Sequence, residues 1–246
     1  MADTPVWVQL ALPALTAICA GLATQVAVRI KDKKAEAREQ EARRSAERLG
    51  LLDPLARAAA TLAWKFKTIQ VKVQEGSEGS GGVHWMRQQF HLVKHPEGSA
   101  KEFGYWCNSE GFFAVSTVYA TAVYFANSTR VRREYLAEQR LVRLLDAVSD
   151  SFASGVGIHH LIQDSVGQCV AASGPGELTY RQFCERIYHE DERLWFLGVL
   201  DYYRESDKRP LHERAAVCEA LSALISYLTK TARTDTRNPF AGSALN

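Results

Sequence analysis

The sequence lacks the short motifs that mark most enzymes and cofactor-binding proteins. It has no P-loop, no GxGxxG turn after a strand, no HExxH pair and no pattern of paired carboxylates. Its five cysteines are scattered without CxxC spacing, which predicts free thiols rather than a zinc cluster or a disulfide framework. We therefore expect no cofactor and no bound metal, and a protein that is not an enzyme.

The sequence also has little excess charge of either sign. Its 30 basic residues are nearly balanced by 28 acidic ones, for a formal net charge of +2. This balance argues against a dedicated nucleic-acid binder, so no nucleic-acid partner is expected. Strand-like alternation and repeats are absent as well. The helical periodicity that remains predicts an all-α fold.

Charge is missing altogether from one run, Val6 to Val28. The run is about 23 residues long, which suffices for a helix to cross a hydrocarbon core of about 30 Å. A cleaved signal peptide is the alternative, but it needs a basic leader, and the only charged side chain before the run is Asp3. We therefore predict a transmembrane helix over residues 6–28, with a short external N-terminus at residues 1–5.

The residues after this run determine its predicted orientation. They form a basic flank of Arg29, Lys31, Lys33, Lys34 and Arg38. Because cationic flanks stay on the cytoplasmic side, a single-pass protein of the inner (plasma) membrane is predicted, with its C-terminal domain in the cytoplasm. The lipid bilayer is thus an expected partner, and the flank attracts anionic lipid.

Small residues in the predicted anchor recur at four-residue spacing, as at Ala17 and Gly21. That spacing lets two membrane helices approach closely, so the chain is a candidate homo-oligomer as well as a candidate binder of another protein. The alternative is that such small residues are simply common in membrane helices.

The rest of the chain is predicted to be a charged helical stalk at 29–50, a cytosolic α-helical domain at 51–233 and a flexible tail at 234–246. Within the domain, Gly50 is expected to end the stalk and Asp53-Pro54 to open a new helix. A flexible connector is expected at 74–82, followed by short irregular structure or a short helix at 83–106.

The apolar segment 111–126 is predicted to be a buried helix, with a second membrane span as the alternative. Helical periodicity and capping patterns then predict further helices at 130–152, 158–172, 179–188 and 191–203 and a last helix from Pro210. The cytosolic part should therefore be a multi-helix bundle.

Two groups of residues are candidates for a site. The first is a weak pocket candidate formed by His159, His160, Gln163, Asp164 and Ser165. Because His160 and Asp164 are one helical turn apart, both could reach one metal ion, whereas the alternative is that they cap or solvate a helix. The second is a basic patch of Arg130, Arg132 and Arg133, which could meet phosphate, lipid or an acidic partner or be a solvated face.

Four short segments carry a family resemblance: 52–55 (LDPL), 116–119 (STVY), 124–125 (YF) and 163–167 (QDSVG). The chain resembles a set of bacterial, mostly actinobacterial, single-pass membrane proteins that have a basic stalk and a helical cytosolic domain. The resemblance implies placement and fold, and it implies no activity.

Three functions are compatible with these features. The favoured one is a membrane-anchored, non-catalytic interaction or regulatory module at the inner leaflet. The first alternative is a membrane-disrupting or stress and defence effector that acts through oligomerised anchors. The second is a membrane-bound enzyme that uses His159, His160 and Asp164.

Overall fold

The computed structural model describes residues 6–78, 81–171 and 178–235. Within these ranges, the side chains of residues 6–30, 32, 34, 35, 41, 44, 45, 75–78, 81–83 and 232–235 lie outside the description. The helices are α1 (Val6–Glu78), α2 (Gly81–Lys94), α3 (Ala100–Cys107), α4 (Phe112–Glu134), α5 (Gln139–Ala153), α6 (His160–Ala171), α7 (Tyr180–Tyr188), α8 (Glu190–Arg193), α9 (Leu197–Arg204) and α10 (Leu211–Asp235). Two 3₁₀ turns are added at Leu194–Phe196 and Ser206–Lys208. No strand occurs in the described ranges, and the predicted all-α fold is confirmed.

The chain divides into two compact units, Met1–Leu49 and Gly50–Asn246. In the first unit, the flank residues Lys31, Lys33 and Arg38 are exposed. Glu39 and Arg43, one helical turn apart, form an ion pair with Arg43 Nη2 at 2.8 Å from Glu39 Oε1.

The predicted transmembrane segment, residues 6–28, is helical in its backbone, while its side chains, including Ala17 and Gly21, lie outside the described residues. The same holds for the side chains of Arg29 and Lys34. In the part of the chain that the structure describes, no helix is both long and apolar enough to cross a membrane.

The second unit is a bundle organised around α4. Residues on nearly every side of α4 are buried, and α2, α3, α5, α6, α7 and α9 all pack against it. The segment 111–126 is therefore the buried helix that its composition predicts. Aromatic rings fill the centre of the unit, where Phe152 contacts Phe66, Phe125 and Tyr202 at centroid distances of 5.2–5.5 Å.

The break predicted at Gly50 and Pro54 is wrong, because α1 continues through both residues. Proline removes one backbone donor, but its fixed φ is itself helical. The apolar face beyond it, with Leu55 and Leu62 fully buried, keeps the helix packed on the core. The connector predicted at 74–82 is also wrong in extent, since α1 ends only at Glu78 and α2 begins at Gly81.

Residues 83–106 are mostly helical rather than irregular. Helix α3 begins at a capping box, in which Ser99 accepts from the Glu102 amide while the Glu102 carboxylate accepts from the Ser99 amide. Gly98, with φ +79°, makes the turn before it. The S-x-x-E pattern was present in the sequence and would have predicted this helix.

Two other predicted helices are divided in the structure. The segment 130–152 is broken at 135–138, where Tyr135 leaves the helical conformation with ψ 34°. The turn redirects the chain, so that α5 packs against α10. The segment 191–203 is likewise split, because α8 gives way to the 3₁₀ turn Leu194–Phe196 before α9. In both cases one apolar pattern continues across the break because both pieces face the same core.

Candidate functional site

The residues of the weak pocket candidate lie at the start of α6, after a break at which Gly155 adopts φ +62°. Gln163 is the buried member, and it connects α5 to α6. Its Nε2 donates to the carbonyls of Ser149 (2.9 Å) and Ile158 (2.8 Å), while its Oε1 accepts from Ser149 Oγ at 2.7 Å. All of its hydrogen bonds are used in holding the chain together, which indicates a structural role.

The other members of this group point to different partners. His160 Nδ1 lies 2.9 Å from Ser149 Oγ, and its Nε2 lies 3.4 Å from Asp150. Asp164 instead accepts from Thr129 Oγ1 on α4 at 2.9 Å, and Ser165 donates to the carbonyl of Leu161 in its own helix.

The structure therefore does not bring His159, His160 and Asp164 together as a metal site. The His159 ring is exposed and lies against the amide of Leu161. Among the side chains that the structure describes, no group of three His, Cys, Asp or Glu residues could hold a metal ion.

The basic patch is not a continuous cationic surface. Arg132 is half-buried and pairs with Asp146 of α5 at 2.9 Å, while Arg130 and Arg133 are exposed. One of the three charges is thus used to join α4 to α5. The arrangement is that of a solvated helical face with a local counter-charge.

The hydroxyl groups of α4 mostly bond as expected for buried hydroxyls. Thr117 and Thr121 each donate to the carbonyl four residues earlier, at 2.6 and 2.8 Å. Tyr119 donates across to the carbonyl of Leu178 at 2.7 Å. The hydroxyl of Tyr124 is buried without a hydrogen-bond partner in the described part of the chain, and burial raises its pKa. Thr117, Tyr119 and Thr121 thus make their bonds within the packing, and these three hydroxyls do not indicate a polar pocket.

A small cleft lies elsewhere in the second unit, between α1, α9 and the start of α10. Phe66, Tyr202, Tyr203 and Arg209 are among its lining residues. It has room for about one water molecule, which is too little for an organic ligand.

The most unusual polar residue is Lys65 on α1, which was not among the predicted site residues. It is only 4% exposed. Its position follows helical spacing, three residues after the buried Leu62 and four before the buried Ile69. That spacing was visible in the sequence and would have placed the side chain in the apolar stripe.

The Lys65 ammonium lies among aromatic rings with one polar neighbour. Its Nζ donates to Ser116 Oγ on α4 at 2.6 Å. The ring centroids of Phe113, Trp64 and Phe112 lie 4.6, 5.1 and 5.4 Å from Nζ. No carboxylate pairs with it among the described side chains.

Burial without a counter-charge has an electrostatic consequence. Removal from water disfavours the charged amine, which lowers the pKa of Lys65 from 10.5 to about 8. Such a pKa gives the amine a substantial uncharged fraction near neutral pH, whereas an exposed lysine has almost none.

No protein-family model matches the sequence, and no similar curated protein or solved structure was found. The resemblance to actinobacterial single-pass proteins therefore stays a prediction. Function must rest on the chemistry of the chain's own surfaces and buried groups.

Among the exposed large apolar side chains of the second unit are Leu161, Ile162, Leu194 and Trp195, and we call these four residues the α6 surface. These side chains lie on neighbouring elements, because α6 packs against the 3₁₀ turn Leu194–Phe196. Leu161 is 71% exposed and Trp195 58% exposed. Two exposed acidic residues, Glu190 and Asp191, precede Leu194 on α8.

Proposed function

We propose that the protein is a membrane-anchored, non-catalytic helical module that binds a protein partner at the inner leaflet. The membrane part of this proposal is supported by the uncharged run at 6–28 and the basic flank that begins at Arg29. In this arrangement residues 29–50 form the stalk, and the second unit faces the cytoplasm.

The α6 surface carries the binding part of the proposal. Large apolar side chains that are exposed on neighbouring elements are a feature of protein interaction sites. Leu161, Leu194 and Trp195 are each more than half exposed. Tryptophan is also the residue most enriched among the energetic centres of interfaces, which makes Trp195 the expected anchor of the contact.

Charge beside this surface indicates the chemistry of the partner. Glu190 and Asp191 are exposed, and neither forms an ion pair with any other described side chain. A partner that covers the α6 surface would place the residues at the edge of its own contact surface next to these carboxylates. A basic amphipathic helix supplies both an apolar face and complementary rim charges, so it is the partner that we propose.

Two synthetic amphipathic peptides with the same apolar face test this proposal. One carries lysines on its polar face and the other carries glutamates. We expect the full-length chain to bind the lysine peptide, with an affinity that falls as salt is raised, because rim charges are screened. Equal binding of both peptides, or binding of neither, would contradict the proposal.

A matched pair of leucines provides the control. Leu194 is 56% exposed on the α6 surface, whereas Leu211 is 57% exposed at the start of α10. Leu194→Ser should weaken peptide binding about tenfold, as expected for an interface centre, while Leu211→Ser should leave it unchanged. Serine adds no charge, so the comparison isolates the apolar contact. Equal effects of the two substitutions would exclude the α6 surface as the docking site.

A further inference from the structure

The Lys65 ammonium has more N–H donors than the hydrogen bonds that the structure describes for it. An ammonium has three N–H donors, and the only described hydrogen bond of Lys65 goes to Ser116 Oγ. With 4% of its surface exposed, its remaining capacity faces aromatic rings rather than water. A buried amine without a carboxylate is costly to maintain, and such groups occur where the uncharged amine has chemistry to perform.

The hydrogen bonds around Ser116 leave the lone pair of the Lys65 amine available. The Ser116 hydroxyl donates to the carbonyl of Phe112, so its oxygen accepts from Lys65 rather than donating to it. When Lys65 is uncharged, one N–H is directed to Ser116 and the nitrogen lone pair remains unbonded. Because burial lowers the pKa of Lys65 to about 8, the amine has a much larger uncharged fraction at pH 7.4 than an ordinary lysine has.

Aromatic side chains form the wall between this amine and solvent. Trp64 and Phe112 are each about half-exposed, and both rings lie within 5.4 Å of Nζ. Phe113 lies beneath them and contacts Trp64 with ring centroids 6.5 Å apart. An aldehyde would reach the amine only if these two outer rings turned aside, and an aromatic aldehyde could then stack against them.

We propose that Lys65 is a carbonyl-binding site, where a buried amine held by Ser116 condenses reversibly with an aldehyde carried on an aromatic group. The nitrogen lone pair forms a bond to the carbonyl carbon, and the π pair of the carbonyl moves to oxygen, which takes up a proton as nitrogen releases one. The hydroxyl of this carbinolamine takes up a further proton and leaves as water while the nitrogen lone pair forms the C=N bond, and the resulting iminium nitrogen releases its remaining proton to give the imine. No oxidant or reductant is consumed.

Reductive trapping on the folded, full-length chain tests this site. The chain is incubated with benzaldehyde and sodium cyanoborohydride at pH 7.4, and adducts are located by peptide mass spectrometry. Lys67 is the matched control, because it is an exposed lysine on the same helix, two residues away. We expect the adduct at Lys65 to form at least tenfold faster than at Lys67. Modification of Lys65 at the same rate as Lys67, or more slowly, would overturn the proposal.

Two further measurements distinguish a specific binding site at Lys65 from an amine that is merely reactive. Labelling of Lys65 should rise with pH to a midpoint near 8. Benzaldehyde should favour Lys65 over Lys67 more strongly than propanal does, because the aromatic wall stacks on a ring. Loss of the Lys65 preference in urea would support the site, whereas its persistence in the unfolded chain would contradict it.

Discussion

At Lys65 the second unit keeps a cationic group away from water, and this placement affects stability. The folded protein binds the Lys65 proton with a pKa of about 8, and the unfolded chain with the ordinary value of 10.5. Below pH 8 both states are charged, and the desolvation cost is fully present in the folded state. Between pH 8 and 10.5 the unfolded chain binds more protons, so the free energy of unfolding rises with pH.

Lys65→Met is therefore expected to stabilise the protein at pH 7. Methionine has a similar length and removes the buried charge, which makes a gain of up to about 3 kcal/mol the expected size. The gain should shrink as pH approaches 10, because the wild-type amine is then uncharged in the folded state. Urea unfolding of both proteins at pH 7 and pH 10 measures this, with Lys67→Met as the control. The same difference in stability at both pH values would show that the charge is not the cause.

The roles of individual residues were harder to predict from the sequence than the secondary-structure elements or the fold class. Gln163 was a site candidate because polar residues cluster near it, yet its three hydrogen bonds hold α5 and α6 together. Lys65 was not among the site candidates, although its helical spacing indicates burial. The hydrogen-bond partners of both residues depend on which neighbours the tertiary fold brings close, and helical spacing carries no information on those partners.

At the level of elements, Gly167 marks where α6 crosses α4. A Cβ built on Gly167 would lie 2.9 Å from the Ala126 nitrogen and 2.9 Å from the Phe125 carbonyl carbon, both backbone atoms. Gly167 therefore lies where the backbones of α6 and α4 approach each other closely. Thr129 and Asp164 bond across the same pair of helices.

Gly167→Ala should destabilise the protein by about 1–3 kcal/mol, because backbone cannot move aside as a flexible side chain would. Gly104 on α3 provides the opposite case. A Cβ there would meet no atom within 4 Å. Gly104→Ala should therefore stabilise by about 0.5–1 kcal/mol through helix propensity alone. Thermal unfolding of the two variants measures both effects, and a change of the same sign in both would contradict the packing argument.

Helix starts were predictable where a local cap fixes them. Thr179 and Gln182 form the capping box expected from their spacing, and α7 begins at the next residue, Tyr180. The last helix likewise begins just after Pro210. Breaks inside amphipathic stretches were not predictable, as at Tyr135, because the apolar period continues across the turn. The continuity of α1 through Pro54 was also missed, since packing of its later turns outweighs one lost hydrogen bond.

At the level of the whole molecule, the described core belongs to the second unit alone. Its buried apolar residues begin at Leu52 and extend to Leu228. Aromatic contacts join distant parts of this unit, as where Phe90 of α2 stacks on Tyr203 of α9 with centroids 5.4 Å apart. The Tyr203 hydroxyl also lies 2.6 Å from Thr121 Oγ1 on α4. The second unit therefore contains the interactions that a domain needs to fold alone.

Removal of residues 1–49 should accordingly separate membrane attachment from folding. The full-length chain is expected in the membrane fraction, where it resists an alkaline carbonate wash, because its uncharged run would be embedded in lipid. The fragment 50–246 is expected in the supernatant, with helical circular dichroism and one cooperative unfolding transition. A fragment that unfolds without cooperativity would show that the first unit completes the core. A full-length chain found free in the supernatant would instead remove the anchor from the proposed function, while leaving the α6 surface and Lys65 to be tested on their own.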